Sequence, residues 1–172
     1  MPETLTIIDG KNLTYSGLFD PKELYTVIDQ HFQQHSFDKN EFKNSEHVYE
    51  DSKQLEMDLR PYKKLSDYVK VEIKIVIVGK NLKEVEIEQK GIKKKLFKGD
   101  LSVTFTSYLI TDYEGSWEGK PFYYMIRMLV DKFVYKGYLH EAKKELIQIT
   151  EEAHNEIRSY LNMHRFLEQE KE

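Results

Sequence analysis

Two histidines four residues apart are the first candidates for chemistry in this sequence. His31 and His35 lie on one face of a predicted helix, as a two-point metal chelate would require. The same face carries Leu24 and Ile28, and no third ligand follows at a diagnostic spacing. We therefore expect both histidines to pack partly buried against the rest of the protein, and we predict no metal site and no cofactor.

A second candidate is the acidic segment that contains Asp112, Glu114 and Glu118. Two nearby carboxylates can act as general acid and base. The same residues also fit a structural role, in which glycines form turns, Trp117 covers the core and acidic residues favour the start of a helix. Phosphate-binding glycine loops and the Gly-x-Ser-x-Gly motif are absent from the sequence. Nothing in these patterns argues for an enzyme.

Composition excludes several classes of site. The chain of 172 residues has no cysteine, which excludes disulfides, thiolate zinc sites and thiol nucleophiles. The net charge of −4 argues against a dedicated nucleic-acid-binding protein. The N-terminus lacks the pattern of a secretory signal, and the longest apolar-rich stretch, 122–135, is too short and too charged to span a bilayer. We expect a cytoplasmic protein.

Lysines are concentrated in a predicted hairpin between residues 80 and 98. Such an arm could contact the phosphates of RNA, of DNA or of an anionic membrane surface, weakly and in a salt-dependent way. The alternative, which we favour, is a solvated edge whose lysines prevent aggregation between sheets. The candidate residues for polyanion binding are Lys90, Lys93, Lys94, Lys95 and Lys98.

The hydrophobic patterns predict an α+β fold with an antiparallel meander of about five to seven strands. Residues 5–15 form two short strands or one bulged strand, and a helix over about 21–35 follows the cap Asp20. Residues 36–53 are polar and without periodicity, which predicts a loop in which a strand can begin at Val48-Tyr49. Further strands are expected over 55–59, 69–78, 85–87, 92–96 and 101–110, with a turn at 89–91.

The C-terminal part, about 120–168, is predicted to be helical and to pack on the sheet. Its first helix is apolar almost all round, and the second has an apolar seam from Leu139 to His164. The two seams do not share a face, so we expect a break near Gly137. With the sheet part in 1–115, the whole chain, 1–172, is interpreted as a single domain.

Several segments of the chain resemble an uncharacterised protein family found in archaeal genomes. They are the Lys-rich hairpin and the stretches 66–68, 108–118 and 131–135. This resemblance implies no catalytic residue. The order of strand, helix, meander and long C-terminal helix is similar to the helix-grip fold of START and Bet v 1-like proteins, and any inference from that fold to a ligand is analogy.

These patterns lead to a main hypothesis and two alternatives. The main one is a non-enzymatic binding protein that holds an apolar small molecule or lipid between the sheet and the C-terminal helices. The pocket candidates are Tyr15, Phe105, Tyr108, Trp117, Phe122, Ile126 and Phe133. The alternatives are an interaction module that forms homo- or hetero-oligomers through the C-terminal helices, and the weak polyanion binder described above.

Overall fold

The protein has an α+β fold built on one antiparallel sheet of six strands. The computed structural model describes residues 2–115, 128, 129, 132 and 135–169. In chain order the elements are β1 (Glu3–Phe19), α1 (Pro21–Gln34), β2 (Glu41–Val48), β3 (Lys53–Leu59), β4 (Tyr62–Lys64), β5 (Val69–Gln89), β6 (Ile92–Thr111) and α2 (Tyr135–Gln169). The strand order is β1-β6-β5-β3-β2, and β4 also pairs with β5. This confirms the predicted fold class.

One long hairpin, formed by β5 and β6, makes the centre of the sheet. The sequence suggested separate strands on either side of residues 79–84, but β5 has 21 residues and β6 has 20. β5 continues through this polar segment because its pairing with β6 shifts in register between Lys80 and Lys83. Asn81, within the shift, has a φ of 54°. Such a bulge bends a strand without ending it. The predicted turn lies at Lys90-Gly91, and both residues have positive φ, as a type I′ turn requires.

The bulge turns Leu82 onto two glycines of the hairpin. A Cβ atom on Gly99 would lie 2.7 Å from the carbonyl oxygen of Lys80 and 2.8 Å from Cδ2 of Leu82. A Cβ atom on Gly79 would lie 3.0 Å from Cδ1 of Leu82. The absence of side chains at these two positions therefore makes the space in which Leu82 is buried.

The two outer strands of the sheet, β1 and β2, differ in how well the sequence predicted them. β1 is one continuous strand with register shifts near Ile8, so the bulged-strand alternative is the correct one. The expectation of a loop over 36–53 was wrong for Glu41–Val48, which form β2. Among the described residues this strand lies at the edge of the sheet and pairs with β3, and most of its residues are exposed. Because its described side chains are mostly exposed, β2 lacks the apolar alternation by which strands are recognised.

Helices α1 and α2 pack on one face of the sheet, called here the inner face, which carries Ile73, Ile75 and Ile77. Asp20 caps α1 by accepting a hydrogen bond from the backbone N–H of Lys22, as the sequence predicted. Helix α1 buries Leu24, Ile28, His31 and Phe32. Helix α2 buries the predicted seam, including Ala142, Leu146, Ile149, Ala153, Ile157 and Leu161. Burial of these two apolar faces closes the core on the inner face.

The break expected near Gly137 is not at that residue, because α2 continues through it. A Cβ atom on Gly137 would have no neighbour within 4 Å. Glycine at such a surface position weakens a helix without ending it. Most of the first predicted C-terminal helix, within 116–134, lies outside the described residues.

Two glycine substitutions test the packing at the bulge. Gly99→Ala should lower the free energy of unfolding by about 1–3 kcal/mol, because its methyl group must displace the backbone of Lys80 or the side chain of Leu82. The control Gly137→Ala should raise it by about 0.5–1 kcal/mol, because alanine favours the helix. Urea denaturation measures both values. A Gly99→Ala variant as stable as the wild type would contradict the packing of Leu82.

Candidate functional site

A groove of about 840 Å³ opens between the first turn of α1 and the sheet. It is called here the α1 groove. Its lining residues come from α1, β2, β3 and the part of the β5–β6 hairpin beyond the bulge. The groove therefore depends on the bend of the hairpin and on the position of α1.

The floor of the α1 groove is apolar. Leu55 and Met57 reach it from β3, Leu82 reaches it from the bulge, and Phe97 reaches it from β6. Met57 and Leu82 are buried, whereas Leu55 and Phe97 are partly exposed. These four side chains offer a bound molecule an apolar surface that water covers in its absence.

Charged side chains surround this floor in pairs. Lys53 Nζ lies 3.3 Å from Glu46 Oε1 and 5.3 Å from the ring centroid of Phe97. Lys95 Nζ lies 2.8 Å from Glu84 Oε1. The hydrogen bond between them lowers the pKa of Glu84 and raises the pKa of Lys95. These pairs give the groove a polar rim in which both signs of charge are balanced.

The first turn of α1, which forms one wall of the groove, is held by Tyr160 of α2. The Tyr160 hydroxyl accepts a hydrogen bond from the backbone N–H of Asp20, at 3.2 Å. Its oxygen lies 3.1 Å from the carbonyl oxygen of Asp20 and 3.2 Å from Glu23 Oε2, either of which can accept its proton. Burial raises the pKa of Tyr160 above its ordinary value. The neutral hydroxyl thus joins α2 to the start of α1.

Glu23 also connects this turn to the hairpin. Lys94 Nζ donates to Glu23 Oε1 at 3.2 Å, and His164 Nε2 lies 3.5 Å from Glu23 Oε2. From the sequence, Glu23 was recognisable only as an acidic residue near the start of a helix. Its contacts with Lys94, Tyr160 and His164 were not predictable, because these residues are remote from it along the chain.

Of the predicted pocket residues, the structure describes Tyr15, Phe105 and Tyr108, and these three do not all lie on one face of the sheet. Tyr15 and Phe105 are buried in the core, where the Tyr15 hydroxyl donates to the carbonyl oxygen of Leu18 and Phe105 meets the ring of His154. Tyr108 lies on the opposite face of the sheet, because it is three residues from Phe105 in one strand. The remaining candidates lie outside the described residues, namely Trp117, Phe122, Ile126 and Phe133.

Around Leu146, the contact between α2 and the sheet is closely packed. A cavity bordered by Phe37, Leu65, Val71 and Leu146 measures about 10 Å³, which is about the space that one water molecule needs. This part of α2 therefore meets the sheet with its own side chains. Nearer the C-terminal end of α2, open clefts of about 300 and 580 Å³ are both bordered by Tyr15 and Arg165. A larger open space, the α1 groove, lies beside α1. The sequence did not indicate Leu55, Leu82 and Phe97 as site residues, because a groove formed by distant strands leaves no local sequence signal.

The lysines of the hairpin are largely opposed by glutamates. Lys93 lies opposite Glu88 in the register, Lys95 pairs with Glu84, and Lys94 pairs with Glu23. Lys90 lies in the turn, and Lys98 lies opposite Lys83. Leu96 is buried as expected, but Ile92, which was expected to face the core, is 71% exposed. Polyanion binding stays a prediction, and these pairs reduce the positive charge on which it depends.

Within the described parts of the chain, one group of side chains has the arrangement of a metal site. The ligand atoms of His31, His35 and Glu152 all lie within 4.8 Å of one another. The histidine spacing was visible in the sequence. The third group was not, because Glu152 belongs to α2 and only tertiary packing brings it to α1.

Comparison of the chain with protein-family models, with curated proteins and with solved structures finds no match. Among the described residues, no helix has the length and apolarity needed to cross a membrane.

Replacing Tyr160 by phenylalanine tests how α1 is held. Tyr160→Phe should lower the free energy of unfolding by about 1–2 kcal/mol near pH 7, because the polar groups of Asp20 lose their partner. The folded-state pKa of Tyr160 is raised, so its contribution is fully present below its ordinary pKa of 10.0 and is lost as the pH rises above it. The difference between variant and wild type should therefore shrink above pH 10, as chemical denaturation across that range would show. A constant difference would contradict a buried neutral hydroxyl.

Proposed function

We propose that this chain is a non-enzymatic binding protein that holds a ligand with an apolar body in the α1 groove. The observation that supports the proposal is the apolar floor of Leu55, Met57, Leu82 and Phe97 in a groove of about 840 Å³. Ligand sites commonly have about 300–1,000 Å³, an apolar lining and a few polar groups. The α1 groove has all three properties.

The rim indicates which end of a ligand would face solvent. Lys53 and Lys95 already have carboxylate partners, and Tyr25 Oη lies 3.5 Å from Glu41 Oε2. A charged ligand group would have to compete with these pairs, whereas an apolar group would displace only water from the floor. The ligand class that fits is an apolar small molecule or lipid chain whose polar end remains near the rim.

The charged groups of the groove support binding rather than catalysis. General acid–base catalysis is most effective when the pKa of the catalytic group lies near the working pH. The pairing of Glu84 with Lys95 lowers the pKa of Glu84 and thus favours its ionised form. Such a pair can exclude water from the edge of a bound ligand and orient its polar end without taking part in a reaction.

An interaction module has less support from the described residues. The seam from Leu139 to His164, proposed for contact with a partner, is largely buried on the protein's own sheet. The likeness to helix-grip proteins continues as part of the proposal. It is supported by a long C-terminal helix on the inner face and by β1 lying beside the last strand.

A neutral apolar dye measures binding to the groove directly. Leu55→Asn should weaken the binding of Nile red about tenfold, because removal of one large apolar side chain costs about 1.5 kcal/mol of favourable contact. Val76→Asn is the matched control, since Val76 is a half-buried residue on the opposite face of the sheet. Fluorescence titration of both variants gives the dissociation constants, and thermal denaturation checks that each variant is folded.

Two results would contradict the proposal. One is a wild-type protein that binds neither the dye nor any apolar molecule retained during purification, as native mass spectrometry would show. The other is equal weakening by Leu55→Asn and Val76→Asn, which would place the dye elsewhere.

A further inference from the structure

The C-terminal half of α1 meets the middle of α2 through side chains with metal-binding chemistry. His31 near the end of α1 and His35, the residue that caps this helix, face Glu156 and Glu152, which lie one turn apart on α2. His31 Nδ1 lies 3.2 Å from Glu156 Oε1, and His35 Nε2 lies 3.3 Å from Glu152 Oε2. Each helix thus contributes two potential ligands at the spacing of one helical turn.

The hydrogen bonding of His31 leaves one ring nitrogen directed at a carboxylate. The His31 side chain is 2% exposed, and its Nε2 lies 3.0 Å from the carbonyl oxygen of Ile149. A carbonyl oxygen can only accept, so Nε2 carries the proton and donates it. In the neutral ring, Nδ1 then carries no proton and presents a lone pair. This buried atom has no hydrogen-bond partner. A lone pair facing Glu156 at 3.2 Å is a favourable arrangement when a cation lies between them.

We propose that His31, His35, Glu152 and Glu156 bind one divalent metal ion of the late first transition row, with zinc as the best fit. Tetrahedral zinc with bonds of about 2.0–2.2 Å separates its ligand atoms by about 3.3–3.5 Å. The two histidine–carboxylate pairs already have nearly this separation. The wider distances, up to 4.8 Å within His31, His35 and Glu152, can close by small rotations of the two partly exposed side chains.

The donor set distinguishes zinc from the common alkaline-earth ions. Two imidazoles with carboxylates suit zinc and related ions, whereas magnesium and calcium prefer oxygen ligands throughout. The carboxylates of Glu152 and Glu156 are 41% and 49% exposed, so an ion can reach the site from solvent.

Neighbouring groups orient the proposed ligands. The Ile149 carbonyl fixes the ring of His31, as a backbone carbonyl commonly does for a metal-binding histidine. Gln148 Nε2 donates to Glu152 Oε1 at 2.8 Å, which leaves Oε2 directed at His35. Both orienting groups belong to the same part of α2 as the carboxylates. Bound metal would therefore join α1 to α2 and stabilise the folded chain by an amount that grows with the logarithm of the metal concentration above the dissociation constant.

Zinc titration of the full-length, metal-free protein tests this site. We expect one saturable site by isothermal titration calorimetry and a thermal midpoint that rises with zinc concentration. His35→Gln and Glu152→Gln change partly exposed residues, and each should weaken zinc binding about 100-fold. Removal of a residue that only orients a ligand already costs about 10–100-fold in metal affinity, so loss of a ligand should cost at least as much as the upper value. His140→Gln, an exposed histidine on α2, is the matched control and should bind zinc as the wild type does. Cobalt substitution adds a visible spectrum that reports tetrahedral coordination.

Several results would overturn the proposal. The absence of saturable zinc binding, or a thermal midpoint that does not respond to zinc, would leave His31 and Glu156 as an ordinary contact between α1 and α2. Wild-type affinity in His35→Gln or Glu152→Gln, or a comparable loss in His140→Gln, would place the zinc ion at other surface groups.

Discussion

The burial of Leu82 over Gly79 and Gly99 is the contact on which the rest of the structure depends. It occurs where the register of the central hairpin shifts, so a single pair of long strands can contribute to two apolar clusters. Before the bulge, the strands carry the main core. Beyond it, Ile87 and Leu96 form a smaller cluster with Leu18 of β1. Without this change of register, the end of the hairpin would not meet α1, and the α1 groove would lack both Leu82 and one of its walls.

Helix α1 is held at both ends by α2. At its start, the Tyr160 hydroxyl contacts Asp20 and Glu23, and at its end His31 and His35 face two carboxylates. The first contact positions the wall of the α1 groove. The second contains the proposed metal ligands. A change in how α1 sits on α2 would therefore affect both sites, although they share no residue.

Elements with local signals were predictable from the sequence. The cap at Asp20, the start of α1, the alternation of Val69 to Ile77 and the turn at Lys90-Gly91 each depend on neighbouring residues, and the structure has them all. β2 had no such signal, because an exposed edge strand needs no apolar face. The continuity of β5 through Asn81 was missed because a bulge resembles a loop in sequence.

The candidate sites were less predictable than the fold. The groove combines residues from α1 and four strands, and the histidine pair gains its third and fourth groups from a helix more than a hundred residues away. Alternation places Phe105 and Tyr108 on opposite faces of the sheet, so these two candidates cannot line the same face of a pocket.

Mapping of a bound apolar ligand by methyl NMR tests the central claim most directly. The Leu55, Met57 and Leu82 methyl groups line the α1 groove, whereas those of Leu146 and Ile149 lie between α2 and the sheet. Addition of a neutral apolar ligand should shift the first set and leave the second unchanged. Shifts confined to Leu146 and Ile149 would contradict the assignment of the α1 groove as the binding site.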